Sequence, residues 1–333
     1  MSNMNVEVRN SAFDSLKFFA IFLVVWGHSI QYLNSVNCVE EPMYRIIYSF
    51  HMPLFMMISG YFATGSMKMD FFSMILKKGR QILLPCFAWI TLVWLCLNII
   101  EVIKGNQILF IKLYWGYLNQ FWFLKSLFIC YLLAFIGRKG GMLGMSVAVL
   151  ISQCISYSSV NFMFPAFVIG LFLRETNFLY GQYIRYRYIV YLLFVMMLVF
   201  YDETFWSNEL LAAQTIYSGD LQYAFMYIYK IIIGVLGALS FLMLFVVDLK
   251  NVRLMSHVSN YGQLTLGIYI LQSLILERFI GRIVCFDMAS FPFIYIVSPL
   301  MSVLVVCACV VIIRIIQRFK LAKLVFLGES MNS

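Results

Sequence analysis

The chain has 333 residues, of which 63% are hydrophobic and 12% charged, whereas an ordinary soluble domain has roughly 25% charged residues. This composition excludes a soluble globular domain, a disordered chain, a coiled coil and a secreted disulfide scaffold. The net charge of +9 would suggest a nucleic-acid partner in a soluble protein. In a membrane protein the charge of cytoplasmic loops explains it, so no nucleic acid is expected.

Apolar blocks of the length that crosses a bilayer recur along the whole chain, and the mean hydropathy is +0.88. They predict an all-α polytopic membrane helix bundle of about ten transmembrane helices. We expect one membrane domain over residues 1–333, with a core over about 13–320 and short cytoplasmic tails. The predicted spans are 12–33, 44–64, 82–103, 121–137, 141–157, 161–173, 186–201, 224–247, 261–280 and 291–313.

Basic residues are distributed unequally between the two sides of these spans. With a cytoplasmic N-terminus, seventeen of the 24 Lys and Arg residues fall in inner segments and five in outer ones, while Lys125 and Lys230 fall inside spans. The positive-inside rule therefore predicts that both termini are cytoplasmic. The first span contains Lys17 and His28 and is followed by no small-residue cleavage pattern, so we expect it to remain as a helix.

The eight cysteines show no spacing typical of a metal site, and no metal is predicted. Six of them lie in apolar spans, where small hydrophobic side chains are common. Cys38 and Cys285 both fall in predicted outer loops. Either they form a disulfide, if that side is oxidising, or they remain thiols.

Ionisable side chains within the first span are candidates for function, because they cost several kcal/mol at the centre of a bilayer. Lys17 and His28 are eleven residues apart, which is about three helical turns, so they share a face about 16 Å apart along the axis. Asp14 lies three residues before Lys17 and can pair with it. This predicts Lys17 near the cytoplasmic end and His28 in the outer half.

The second span brings another histidine to a similar depth. His51 is followed by Pro53, which removes a backbone donor and frees carbonyl groups to face a cavity. The alternative is that each histidine is neutral, buried and hydrogen-bonded to a carbonyl. Two histidines at one depth favour a shared site.

A polar and aromatic group containing Gln120, Trp122 and Lys125 surrounds the start of the fourth span. Such a group can face a substrate at the outer interface. Alternatively, Trp122 is a residue of the interfacial aromatic belt and Lys125 extends towards the headgroups.

Several of these segments together resemble a known family. The residues FDSLK at 13–17 lead to Gly-His at 27–28, and residues 50–62 read FHMPLFMMISGYF; weaker similarities are QFWFL at 120–124 and LGIYILQ at 266–272. In this order and spacing they resemble the acyltransferase-3 family of integral membrane acyltransferases, many of which O-acetylate bacterial surface sugars. The resemblance extends from residue 13 to about 320.

The chain departs from the family pattern at three places. Lys17 stands where the family usually has Arg, which keeps the charge but loses the planar fork. Gln272 stands where some members have His, so we do not expect it to transfer protons. The paired-Arg motif before the third span is only loosely represented, by Lys77, Lys78 and Arg80.

The resemblance implies an O-acyltransferase that moves an acyl group, most often acetyl, from acetyl-CoA to a hydroxyl of a cell-surface or lipid-linked carbohydrate. It implies a bacterial inner-membrane protein, with acyl-CoA as a substrate and no permanently bound cofactor. We expect His28 to act as the general base, because imidazole has a pKa near neutrality. His51 would orient it or polarise the acyl carbonyl; an acyl-histidine intermediate is an open variant.

The remaining candidate residues follow from this scheme. Lys17 completes the catalytic set with the two histidines. We expect the CoA phosphates to bind near Lys17, Lys77, Lys78 and Arg80. The alternative is that these basic residues are only the ordinary charge of cytoplasmic loops. Candidate substrate-binding residues are Asp14, Gln120, Trp122, Lys125 and Gln272. Two alternatives stay open: a transporter or flippase of lipid-linked glycan, and a catalytically inactive membrane partner in an envelope polysaccharide assembly.

Overall fold

Helices make up nearly all of the described chain. The computed structural model describes residues 11–34, 37–103, 121–202, 219, 221–286 and 290–330. Within these ranges no β-sheet forms, and the extended pairing is limited to one isolated bridge between Asn34 and Phe286. The predicted all-α membrane class is confirmed.

The predicted spans all coincide with helical segments, some of which continue through short π-helical turns. In the first half of the chain the described α-helices of eight residues or more are α1 (Ser11–Leu33), α2 (Pro42–Tyr61), α3 (Phe71–Lys78), α4 (Leu84–Ile103), α5 (Trp122–Lys139) and α6 (Gly141–Ser152). In the second half they are α7 (Val160–Glu175), α8 (Arg187–Val199), α9 (Leu221–Met243), α10 (Thr265–Ser273), α11 (Ser298–Ile316) and α12 (Lys320–Leu327).

Six helical runs in the described residues are long and apolar enough to cross a membrane, judged by length and composition. They are Ser11–Leu33, Phe71–Cys96, Tyr157–Glu175, Leu221–Asp248, Met255–Ile283 and Ser290–Ile316. The chain is therefore a multi-pass membrane protein. The count of ten spans and the cytoplasmic position of the termini stay predictions.

Helix α2 lies at the centre of the bundle, packed between α7 and α9. Glycines allow α2 and α7 to approach closely. A Cβ atom on Gly60 would overlap the backbone carbonyl of Phe167, and one on Gly170 would overlap that of Met57. On the other side Gly234 of α9 faces Pro53, with 3.0 Å between a Cβ added there and the proline Cγ. Small residues thus let helices α7 and α9 hold α2 on two sides.

The C-terminal half of helix α1 is held by polar contacts with α11. The Trp26 indole donates a hydrogen bond to Ser298 Oγ at 2.8 Å, and Ser302 Oγ donates to Ser29 Oγ at 3.0 Å. These contacts fix the rotation of α1 on either side of position 28.

Candidate active site

A cavity of about 580 Å³ opens at the end of the bundle where α1 finishes and α2, α5 and α7 begin. His28 of α1 and His51 of α2 both line it, as does Trp122 at the start of α5. The structure therefore brings together three of the residues selected from the sequence. Lys230 of α9 and Glu277, which follows α10, also line the cavity.

His28 is held by a residue of α10. Its Nδ1 lies 2.9 Å from Gln272 Oε1, and the Gln272 amide nitrogen donates to the Tyr269 carbonyl at 3.1 Å. That second bond fixes which end of the amide is oxygen, so His28 Nδ1 must carry a proton and donate it. Neutral His28 therefore keeps its lone pair on Nε2. Gln272 is fully buried behind His28 and does not line the cavity.

His51 is buried and is held by its own helix. Its Nδ1 lies 2.7 Å from the Ile47 carbonyl oxygen, which can only accept, so Nδ1 is the protonated nitrogen. The His51 and Tyr48 rings make a T-shaped contact, with 4.7 Å between ring centroids. Neutral His51 thus has a lone pair on Nε2 and can accept a proton there; to polarise a carbonyl through Nε2 it must first be protonated.

Glu277 is a carboxylate in the same cavity. Ser273 Oγ donates to its Oε2 at 3.3 Å, and its charge interacts with His28 and with Tyr32. After Ser273 the helix continues as a π-helix over Leu274–Ile280. Because π-helical bonds run from i to i+5, the wider turn brings residue 277 towards the side that carries Gln272.

Glu277 is not among the residues selected from the sequence, although a signal is present: it is an ionisable residue inside the predicted span 261–280. Lys230 is likewise not among them, although it also falls inside a predicted span. Both line the cavity.

Lys17 and Asp14 form the predicted pair at the other end of α1. Lys17 Nζ lies 3.1 Å from Asp14 Oδ1 and 5.0 Å from the centre of the Phe62 ring. Asp14 is buried, and neither residue lines the cavity. The pair therefore belongs to the end of the bundle that the charge pattern predicts to be cytoplasmic.

Lys77, Lys78 and Arg80 lie on the same end, where α3 finishes and a π-helical turn over Gly79–Leu83 leads to α4. Lys77 and Arg80 are exposed, and Lys78 Nζ lies 4.2 Å from the centre of the Tyr131 ring. Tyr131 in turn donates to the Ser59 carbonyl at 3.5 Å, so Lys78 lies near the C-terminal end of α2, about 12 Å from the level of His51 by the helical rise.

Lys125 is buried one turn into α5, and its Nζ lies 5.2 Å from the centre of the Tyr157 ring, which lines the cavity. Gln120 lies outside the described residues. All eight cysteines are free thiols, including Cys38 and Cys285. In the part of the chain that the structure describes, no group of three or more His, Cys, Asp or Glu side chains could hold a metal ion.

A family model described as an acyltransferase domain matches residues 10–318. The chain belongs to this acyltransferase family. The match covers every site residue selected from the sequence, from Asp14 to Gln272, and also Lys230 and Glu277. The resemblance inferred from the motifs is thereby confirmed.

Two curated relatives of this acyltransferase are nodulation proteins NolL. The protein from Mesorhizobium japonicum is 27% identical over 221 residues, which are 61% of this chain and 59% of the relative. The protein from Sinorhizobium fredii is 40% identical over 89 residues, 26% of this chain and 24% of the relative. The acyltransferase thus matches less than two thirds of each relative's length. No solved structure matches it significantly.

Proposed function

We propose that this protein is a membrane O-acyltransferase that transfers an acetyl group from acetyl-CoA to a hydroxyl of a cell-surface or lipid-linked carbohydrate, in the bacterial inner membrane. The observation that carries the proposal is the pair of histidines in one cavity, each with Nδ1 engaged and Nε2 free to take a proton. Family membership and the apolar helices support the membrane acyltransferase class.

His28 is the general base in this proposal. Its Nε2 removes the proton of the acceptor hydroxyl while that oxygen forms a bond to the thioester carbonyl carbon. The bond from carbon to sulfur then breaks, and the proton passes from His28 to the sulfur of CoA. Gln272 keeps His28 in the required tautomer, as a carboxylate does in hydrolase triads.

Glu277 and His51 have distinct roles in the same step. Protonated His28 is a cation in a site of low dielectric, and the nearby Glu277 carboxylate stabilises that charge. His51 accepts a hydrogen bond at Nε2 and orients the acceptor hydroxyl. Its charge would oppose that of His28, so only one of the two takes the proton.

Acetyl-CoA is a substrate in this scheme and approaches from the end that carries Lys17, Lys77, Lys78 and Arg80. These cations match the CoA phosphates in charge. The thioester then reaches His28 along the bundle, a distance of about 16 Å from the level of Lys17 by the helical rise.

Transfer of label from radiolabelled acetyl-CoA to extracted glycan in membranes tests the proposal. His28→Ala should lower transfer by about 10²-fold to 10⁴-fold, the usual contribution of a general base. The matched control is His257→Ala, because His257 is exposed and remote from the cavity. Equal membrane levels of the variants are established first.

The outcomes separate the three candidate functions. Loss of transfer in His28→Ala alone supports catalysis by His28. Equal transfer by all three proteins contradicts that role. Glycan movement without any acetylation would favour a transporter, and absence of acetyl-CoA binding by the wild type would favour an inactive relative.

A further inference from the structure

One wall of the cavity has no role in the acyl-transfer step. It is formed by Lys230 of α9 and by the turn before α7, where Ser156, Ser158 and Ser159 line the cavity. Ser158 and Ser159 have φ of 53° and 54°, a left-handed conformation that side chains rarely adopt and that clusters at functional sites. We call this surface the serine-lysine wall.

Hydrogen bonds hold the two parts of the serine-lysine wall together. Tyr227, one turn before Lys230, donates to Gln153 Oε1 at 2.6 Å. The Asn161 amide in the first turn of α7 donates to the Tyr227 hydroxyl at 3.3 Å. Lys230 and the serines therefore keep a fixed spacing, as a binding surface requires.

The wall is electropositive. Lys230 Nζ lies 5.0 Å from the centre of the Phe162 ring, in the first turn of α7. The positive end of that helix dipole lies beside it. Lys125, with its Nζ 5.2 Å from the centre of the Tyr157 ring, adds a second buried cation to the same turn.

Helix contacts place Lys230 at about the depth of His28. Gly27 faces Ile47 and Tyr48, while Gly234 faces Pro53. Lys230 lies one turn before Gly234, about 6 Å nearer the cavity opening by the helical rise. His28 and Lys230 thus lie at similar depth, and both line the same cavity.

We propose that the serine-lysine wall binds an anionic group of the carbohydrate acceptor, a carboxylate or a phosphate, with Lys230 as the cation that recognises it. The inference rests on the proposed function for the identity of the acceptor. The serine hydroxyls donate the remaining hydrogen bonds. The donor phosphates do not account for this wall, because the cations assigned to them lie at the opposite end of the bundle.

Binding to the purified full chain in detergent, without acyl donor, tests the inference separately from catalysis. The probes are methyl β-glucuronide, glucose 1-phosphate and neutral methyl β-glucoside, measured by calorimetry or thermal shift. The variants are Lys230→Met, Lys230→Arg and the control Lys250→Met, which makes the same substitution at an exposed site beyond the far end of α9. Methionine keeps the length and suits a membrane helix, so the variant should fold.

We expect the wild type to bind at least one anionic probe about tenfold or more tightly than the glucoside, the scale of one buried charge contact. Lys230→Met should abolish that preference, while Lys230→Arg and Lys250→Met should retain it. The probe preferred identifies carboxylate or phosphate as the group. Equal binding of all three probes by the wild type, or an unchanged preference in Lys230→Met, would overturn the inference.

The His28→Ala variant separates this inference from the proposed function. It should keep the preference for anionic probes although its acetyl transfer is lowered about 10²-fold to 10⁴-fold. If the wild type binds anionic probes selectively but transfers no acetyl group, the result supports the serine-lysine wall as a binding site and contradicts the proposed acyltransferase function. If Lys230 instead stabilised only the transition state, Lys230→Met would lower kcat without changing probe binding, which would contradict the inference.

Discussion

The chemistry of the two histidines follows from what each Nδ1 touches. A carbonyl oxygen of Ile47 and an oriented amide oxygen of Gln272 both require a proton on Nδ1. Each ring therefore offers its lone pair at Nε2. Both residues can be predicted from the sequence but their tautomers cannot, because residue spacing gives neither the amide orientation of Gln272 nor the Ile47 contact.

The amide of Gln272 should matter for rate more than for folding. Gln272→Met keeps the shape of the side chain but leaves the His28 Nδ1 proton without its acceptor. Without that acceptor, the Nδ1-protonated tautomer of His28 loses about 1–3 kcal/mol of its advantage over the other tautomer. Less of His28 then offers a lone pair at Nε2, so acetyl transfer should fall roughly tenfold to hundredfold. Transfer rates at equal membrane levels measure this, and Gln272→Glu, which restores an acceptor, should recover part of the loss. A rate unchanged in Gln272→Met would exclude the positioning role.

Glu277 should contribute through its charge. Glu277→Gln keeps the size and the Ser273 contact, and it removes the charge that pairs with Arg278 at 3.9 Å and that stabilises protonated His28 in the proposed mechanism. The kcat should therefore fall about tenfold or more while the KM for acetyl-CoA changes little. The control is Glu175→Gln, because Glu175 is half-exposed and pairs with Arg138 at 2.8 Å. A matching loss in both variants would show that Glu277 has only a structural role.

At the scale of elements, hydrophobic blocks predicted where helices lie because burial in lipid requires continuous apolar stretches. The segments 12–33 and 224–247 agree closely with α1 and with the helix from Leu221 to Asp248. The π-helical turn over Leu274–Ile280 could not be predicted in this way, since a hydrophobic block does not distinguish a π-helical turn from an α-helical one. That turn is what directs Glu277 to the cavity.

The contact between α2 and α7 should be the least tolerant element of the bundle. Gly170→Ala would place a methyl group against the Met57 carbonyl, which belongs to backbone and cannot rotate away. Overpacking of this kind costs about 1–3 kcal/mol or more. The thermal denaturation midpoint of the detergent-solubilised protein should therefore fall by several degrees, and the position of His51 on α2 should change.

Gly65→Ala is the matched control for that substitution. A Cβ at Gly65, in the short helix Thr64–Met67, meets no atom within 4 Å, and alanine favours helix over glycine by up to about 1 kcal/mol. This variant should keep or raise the denaturation midpoint. Equal midpoints for the two variants would contradict the close approach of α2 and α7.

For the whole molecule, the two ends of the bundle carry different chemistry. One end presents Lys17, Lys77 and Arg80, and the other holds the cavity with both histidines. The charge bias predicts the first end to be cytoplasmic. Under the proposed function and this orientation, the acyl group travels along the bundle axis and the acceptor arrives from the opposite side.

Thiol labelling can determine this orientation, because Cys285 is exposed close to the cavity end, where Phe286 donates to the Leu33 carbonyl. One variant keeps Cys285 as its sole cysteine, and a second has Lys250→Cys in a chain without native cysteines. A membrane-impermeant maleimide should label Cys285 in right-side-out vesicles and position 250 only in inverted ones. Labelling of both from one side would contradict a span between them, and the reversed pattern would place the histidine cavity on the cytoplasmic side, where acetyl-CoA could enter it without crossing the bundle.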